Sequence, residues 1–353
     1  MMSAVNRNSN VELLRLVLMA MVIMLHFNHP DGGGAFNYFD NISSEWFILH
    51  FFESMSVCAV NCFMIVSGYF LYTNNRIKYG KIVDILLIVI FYRLLNFGVN
   101  IIGGYDAFSV KGLVTATLPV NYFAIFYVAC YMLSPFIAKL WNNLSLKSSD
   151  CLITILLVLF IGIPSVLNII EDMKIMNSAD GLSTISIKGN VSGYTIIQFL
   201  VMLSIGMWLR KRQLNVSAWI LVAVYLISSL IMTVSISKAP SLYNYCSIFA
   251  VITAVCIFLL FCKLSFQNRF INYCAKSCFA IFCIHTSSFS YQLWRQYLTT
   301  ESHLTSGGIT LIVWTLVSVV VMFTACLMIS VVMRISVGKI KDRFCRLFNE
   351  IQI

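Results

Sequence analysis

Apolar runs of about twenty residues recur along the whole chain, separated by short polar segments, and each is about the length that crosses a bilayer. They predict ten spans, at roughly 11–28, 46–73, 82–103, 121–142, 151–170, 194–210, 217–237, 244–265, 272–293 and 308–333. In lipid every backbone polar group must be satisfied inside its own element, so runs of this kind are helices. The expected fold is all-α: a polytopic integral membrane helix bundle of about ten transmembrane helices. No internal repeat is evident. The connecting segments are too short for an independent domain, so residues 1–337 read as one transmembrane domain that must hold any chemistry. Residues 338–353 read as a basic tail in which Ile340, Phe344 and Leu347 alternate with cations, a pattern suited to the inner membrane surface.

Composition agrees with this reading. Of 353 residues 59% are hydrophobic and only 11% charged, where a soluble domain carries about a quarter charged. The first run is long, holds Arg15 and lacks a small-residue cleavage site, so it is not a removable signal. A net charge of +10 would point to nucleic acid in a soluble protein, but here the charges sort by loop. Arg7, Arg76, Lys78, Lys81, Lys147, Arg210, Lys211, Arg212, Arg269 and the basic tail fall on one side. On the other, Lys111, Lys174, Lys188, Lys238 and Arg295 are outnumbered by Asp31, Asp40, Glu45, Asp106, Glu171, Asp172, Asp180 and Glu301. The positive-inside rule then puts both termini in the cytoplasm, consistent with an even number of spans. The charge is topological: the partner is a lipid bilayer and no nucleic acid is expected. Twelve cysteines lie scattered, mostly in apolar runs, without a CxxC or Cys/His framework, and read as reduced packing residues with no metal.

The informative residues are those a span does not hold cheaply. In the first span Arg15 and His26 are eleven residues apart. At ~100° per residue they point to nearly the same face, and at ~1.5 Å rise they stand roughly 16 Å apart. Arg15 alone reads equally well as the partner of Glu12, three residues earlier, and His26 as an interfacial histidine. His50 and Glu53 form an i, i+3 pair near the outer end of span two, where a carboxylate can orient an imidazole or simply sit at the interface. Ser67-Gly68 permits close helix approach. Arg93, near the middle of span three, must face the bundle interior and meet an anion or carbonyls. Tyr127 and Tyr131 share a face of span four and read as packing. His285, in span nine, lies at about the depth of His26. Cations thus gather toward the cytoplasm (Arg15, Lys78, Lys81, Lys276) and imidazoles toward the outside (His26, His50, His285). An enzyme that takes an anionic donor from inside fits this polarity, and so does a proton-coupled transporter.

Several stretches also resemble the membrane acyltransferase family 3. The run VELLRLVLMAMVIMLHF, with its R-x10-H spacing, resembles the family's opening span. VNCFMIVSGYFLY resembles its second-span signature, NYFAIFYVACYMLSP its fourth-span pattern, and SCFAIFCIH the late span that ends in histidine. The pieces occur in the expected order along nearly the whole chain. The resemblance implies a ten-helix acyltransferase of a bacterial inner membrane, moving acetyl from cytoplasmic acetyl-CoA to hydroxyls of envelope glycans. The wording is closest to the branch that acetylates exopolysaccharide and surface antigen. Carried over, His26 is the residue essential for transfer and Arg15 its partner in donor handling. Two departures stand out: an arginine-rich motif after SG[FY] is represented only by Arg76, Lys78 and Lys81 with Arg93 beyond, and no hydrolase-like domain follows span ten.

The expected reaction is therefore O-acyl transfer from acyl-CoA to a hydroxyl of a surface polysaccharide or its lipid-linked precursor. The catalytic candidates are His26 and Arg15, with Glu53 or His285, on depth alone, orienting the His26 ring. The candidates for holding acetyl-CoA are Arg15, Ser67, Arg76, Lys78 and Arg93. The competing expectation is a transporter, flippase or polymerase of envelope glycans, for which the R-x10-H and SGYF pair is not required.

Overall fold

The computed structural model describes residues 8–39, 43–175, 193–348 and 350–352; of the loop charges named above, Arg7, Asp40, Asp180 and Lys188 lie outside them. In chain order the helices are α1 (Ser9–Asn28), α2 (Ser44–Ser56), α3 (Ala59–Leu71), α4 (Tyr79–Ile102), α5 (Val110–Thr117), α6 (Tyr122–Asn143), α7 (Leu146–Leu157) and α8 (Ile163–Asp172). They continue with α9 (Ile196–Arg212), α10 (Ala218–Ser235), α11 (Ile248–Cys262), α12 (Arg269–Cys274), α13 (Cys278–His285), α14 (Ser288–Leu293), α15 (Glu301–Leu304) and α16 (Gly308–Cys345). Single π-helical turns occupy Val158–Gly162 and Trp294–Leu298.

Eight stretches among the described residues are long and apolar enough to cross a membrane. The other two predicted spans correspond to α9, of 17 residues, and to the run α12–α14, interrupted at Ala275–Ser277 and again at Thr286 and Ser287. The chain is an all-α, multi-pass membrane protein. Its last helix runs unbroken for 38 residues through Gly338 to Cys345, so the basic segment continues the final span as helix.

Side chains supply what the backbone lacks at breaks and ends. Ser109, Ser145, Thr195, Asn268 and Ser287 each cap a helix by accepting a bond from an amide of its first turn. Inside α6, Pro135 has no N–H to offer the carbonyl of Tyr131 one turn back. The neighbouring Ser134 hydroxyl donates to that carbonyl instead, at 2.8 Å. The Ser-Pro pair is thus self-repairing, as a helix in lipid requires.

The chain forms two compact units, both discontinuous in sequence. The first comprises Met1–Leu49, Lys78–Ala124 and Ser265–Glu350. Here α1 packs on α12, α13 and α16 through Leu14, Leu18, Val22 and Ile23, all buried. The start of α4 meets the end of α16: Lys341 pairs with Asp84, and Gly80 lies so close that a Cβ would stand 2.6 Å from the Cys345 carbonyl oxygen. Arg334 of α16 donates to the Tyr273 carbonyl and the Ser277 hydroxyl.

The second unit comprises His50–Ile77, Ile125–Leu264 and Ile351–Ile353. Its centre is the crossing of α3 and α9. A Cβ on Gly68 would sit 2.0 Å from the Leu203 carbonyl oxygen, and one on Gly206 2.1 Å from that of Ile65. The glycine of the SGYF stretch is therefore a helix-crossing residue, in the small-residue manner of membrane bundles. Asn61 and Gln198 both donate to the Tyr245 carbonyl at 2.8 Å, joining α3 and α9 to the segment before α11.

Gly68→Val should force α3 and α9 apart and sharply reduce folded protein in detergent, read by fluorescence-detected size exclusion and thermal midpoint. Gly98→Ala, where nothing lies within 4 Å of the added carbon, should be neutral or stabilise by up to about 1 kcal/mol.

Candidate active site

Helix α1 ends at Asn28, and the chain turns back at once through Pro30 and Gly32-Gly33-Gly34. These glycines let the backbone pass where no side chain fits. A Cβ on Gly32 would lie 2.4 Å from the His26 carbonyl oxygen; one on Gly33 would meet the Phe27 carbonyl oxygen at 2.5 Å and the Trp294 ring at 2.6 Å. Gly34 has φ +82°, the left-handed region that glycine tolerates. The facing wall is the π-helical turn Trp294–Leu298. Arg295 Nε donates to the Gly32 carbonyl at 2.9 Å, the Thr299 hydroxyl to that of Gly33 at 2.6 Å, and Trp294 is fully buried. At the other end of α1, the Asn268 amide donates to the Ser9 hydroxyl at 2.8 Å.

Held at both ends, α1 presents His26 to the broken span α13–α14. The His26 and His285 rings meet edge to face, centroids 5.0 Å apart. Tyr291 lies 2.8 Å from His26 Nδ1 through its hydroxyl, its ring stacked on the imidazole. His285, the last residue of α13, is fully buried. Its Nδ1 faces the Ile281 carbonyl at 2.8 Å; a carbonyl only accepts, so Nδ1 carries the hydrogen. Nε2 is then a bare lone pair, and it has no hydrogen-bond partner although buried. For His26, donation from Nδ1 to the Tyr291 oxygen likewise leaves Nε2 as a base, whereas donation from Tyr291 to Nδ1 makes Nε2 a donor. The site can accept, hold and return a proton.

The other predicted residues divide between the units. Arg15 lies on the same helix as His26 and pairs with Glu12 at 3.0 Å, its side chain about one-third exposed. Lys78 is exposed beside the start of α4, and Arg76, exposed as well, belongs to the second unit. Glu53 and Ser67 are also in the second unit; the Ser67 hydroxyl donates to the Phe63 carbonyl of its own helix. Arg93 meets carbonyls, as a mid-span arginine must: Nη1 donates to Val120 and Nη2 to Thr115. Among the described residues no group of three or more His, Cys, Asp or Glu converges as a metal site, and the cysteines are free thiols.

Tyr291 and the Arg295–Thr299 wall were not apparent from the sequence. The available signal was the polar and aromatic run SSFSYQLW directly after His285. Asn96 and Asn100 were also missed, although with Arg93 they form an i, i+3, i+7 stripe on one face of α4.

An imidazole pair at one end of α1, its His285 ring fully buried and its His26 ring bonded to the Tyr291 hydroxyl, suits a group-transfer enzyme. The comparison with known families agrees: the family model described as an acyltransferase domain matches residues 8–331. The chain belongs to acyltransferase family 3 and is a membrane acyltransferase, a class distinct from carriers, flippases and polymerases. No curated protein and no solved structure matches it.

Tyr291→Phe keeps the stacked ring and removes only the hydroxyl. It should lower kcat for acyl transfer about 10-fold, short of the roughly 100- to 10,000-fold that general-base catalysis supplies, and should move the acidic limb of the pH–rate profile. A purely structural role would reduce folded protein and leave the profile in place.

Proposed function

We propose that this acyltransferase moves an acyl group, acetyl in the first instance, from acyl-CoA to a hydroxyl of a cell-surface polysaccharide or its lipid-linked precursor. The observation that carries the reading is the imidazole pair: His26, set against Tyr291, with the bare Nε2 of His285 beside it. His26 Nε2 takes the proton of the acceptor hydroxyl as its oxygen attacks the thioester carbonyl. The C–O bond forms, the C–S bond breaks, and the proton passes from His26 to the departing CoA thiolate. His285 orients the His26 ring and offers a second proton acceptor. Burial keeps water from competing as nucleophile.

The donor enters from the cytoplasm in this reading. CoA is polyanionic, and Arg15 is suited to bidentate phosphate contacts once it exchanges its Glu12 partner for the donor. Lys78, exposed beside the start of α4 in the same unit, adds a second cation for the donor. Glu53 has no role in this scheme. The membrane is the inner membrane of a bacterium, with both termini inside and the basic end of α16 at its cytoplasmic surface.

Mass spectrometry of the surface glycan should show loss of acetyl groups from an intact polymer when the gene is deleted; loss of the polymer itself would overturn the reading. His26→Ala should lower acetylation at least 100-fold while the protein still inserts. Arg15→Lys should raise KM for acetyl-CoA about 10-fold with a smaller effect on kcat; an unchanged KM would make Arg15 structural.

A further inference from the structure

Within the first unit a cleft of about 470 Å³ opens beside the end of α4, walled by α5 and by the start of α14. That volume falls in the range of about 300–1,000 Å³ usual for small-molecule sites. Its lining is polar where a lipid-facing groove would be apolar: Arg93, Asn96, Asn100, Asp106, Lys111 and Ser288 all contribute. By the loop charges this end of the unit is the outer one.

The hydrogen bonds in the cleft are incomplete in a particular way. Asn100 is 4% exposed, and its amide nitrogen donates to Asp106 Oδ2 at 2.9 Å and Ser288 Oγ at 2.7 Å. A carboxylate only accepts, so Asp106 fixes the orientation of that amide and leaves Oδ1 turned away from it. Oδ1 has no partner, and neither has Oδ1 of Asn96. Arg93 has committed Nη1 and Nη2 to two carbonyls, and its buried Nε is unpartnered. Leaving such groups unpaired costs on the order of 1–3 kcal/mol each, which points to a ligand that completes them.

The set discriminates between ligands. Two bare acceptors repel an anion, and an arginine whose terminal nitrogens are occupied lacks the fork that grips phosphate. A hydroxyl donates and accepts at once, so a polyol is the ligand chemistry that suits both the Asn oxygens and Arg93 Nε. The cleft is also tied to the imidazoles. Ser288 lines it, and Tyr291, one turn along the same short helix, bonds to His26.

We infer that this cleft binds the saccharide acceptor, with Asn96, Asn100 and Arg93 Nε holding hydroxyls of the sugar whose neighbour is acylated at His26. The inference rests on the glycan-acylation reading and assigns Arg93 to the acceptor, not to acetyl-CoA.

The test uses the full-length protein in nanodiscs. The probe is an oligosaccharide released from the host's surface glycan and stripped of acyl groups by mild alkali, offered free and on its lipid carrier. Asn96→Ala and Asn100→Ala should each weaken binding and raise the acceptor KM about 10-fold, leaving KM for acetyl-CoA unchanged. Asn96→Ala removes only a 3.4 Å contact to Ser288, so it guards against misfolding of the Asn100 variant. Whichever form is weakened, free or carrier-linked, identifies the polymer or its precursor as the source. A changed acetyl-CoA KM with unchanged acceptor binding overturns the proposal. So does wild-type acceptor use by both variants, and if gene deletion still strips acetyl from the glycan, only the cleft fails. If deletion leaves the glycan's acetyl content intact, both readings fail.

Discussion

Two glycine carbonyls bonded to Arg295 and Thr299 determine where His26 stands. The contact joins the C-terminal end of α1 to the π-helical turn after α14, and it is possible only because Gly32 and Gly33 carry no side chains. Each bond contributes on the order of 1 kcal/mol net, a modest amount, but their geometry permits no sliding. At the N-terminal end, Ser9 is bonded to Asn268. Helix α1 is therefore fixed at both ends to a single later segment of chain, and the register between His26 and Tyr291 follows. A π-turn at such a place re-aims side chains that a regular helix would carry past one another.

The second unit meets the demands of lipid by different means. Its central helices touch backbone to backbone at Gly68 and Gly206, and the amides of Asn61 and Gln198 converge on one carbonyl. The hydroxyl of Ser134 stands in for the amide that Pro135 lacks. Without water inside a bilayer these substitutions are obligatory. In the first unit, His285 Nε2 and atoms of Arg93, Asn96 and Asn100 in the cleft beside α4 stay buried and unpaired.

Much of this was legible in the residues. Apolar run length located the helices because bilayer thickness sets it, and the weak places were those where helices break: α12–α14 looks continuous by hydropathy and is not. Arg93 had to meet an anion or carbonyls and meets the carbonyls of Thr115 and Val120. Gly68 was expected to allow close approach, and Gly206 is what approaches. Depth alone could not choose between Glu53 and His285 as the neighbour of His26; the ring contact is with His285. Tyr291 stayed hidden because it is 265 residues from its partner, and a tyrosine near a helix end ordinarily reads as an interfacial anchor. Asn96 and Asn100 escaped for a similar reason, since their significance lies in atoms that lack partners.

The first unit is assembled from the beginning, an early middle and the last part of the chain. A ribosome that has delivered His26 to the membrane must still make more than two hundred residues before Tyr291 exists to receive it. In the interval α1 sits in lipid with its imidazole uncommitted and its glycine turn unsupported. Chains interrupted before that point hold His26 without the tyrosine that bonds to its ring.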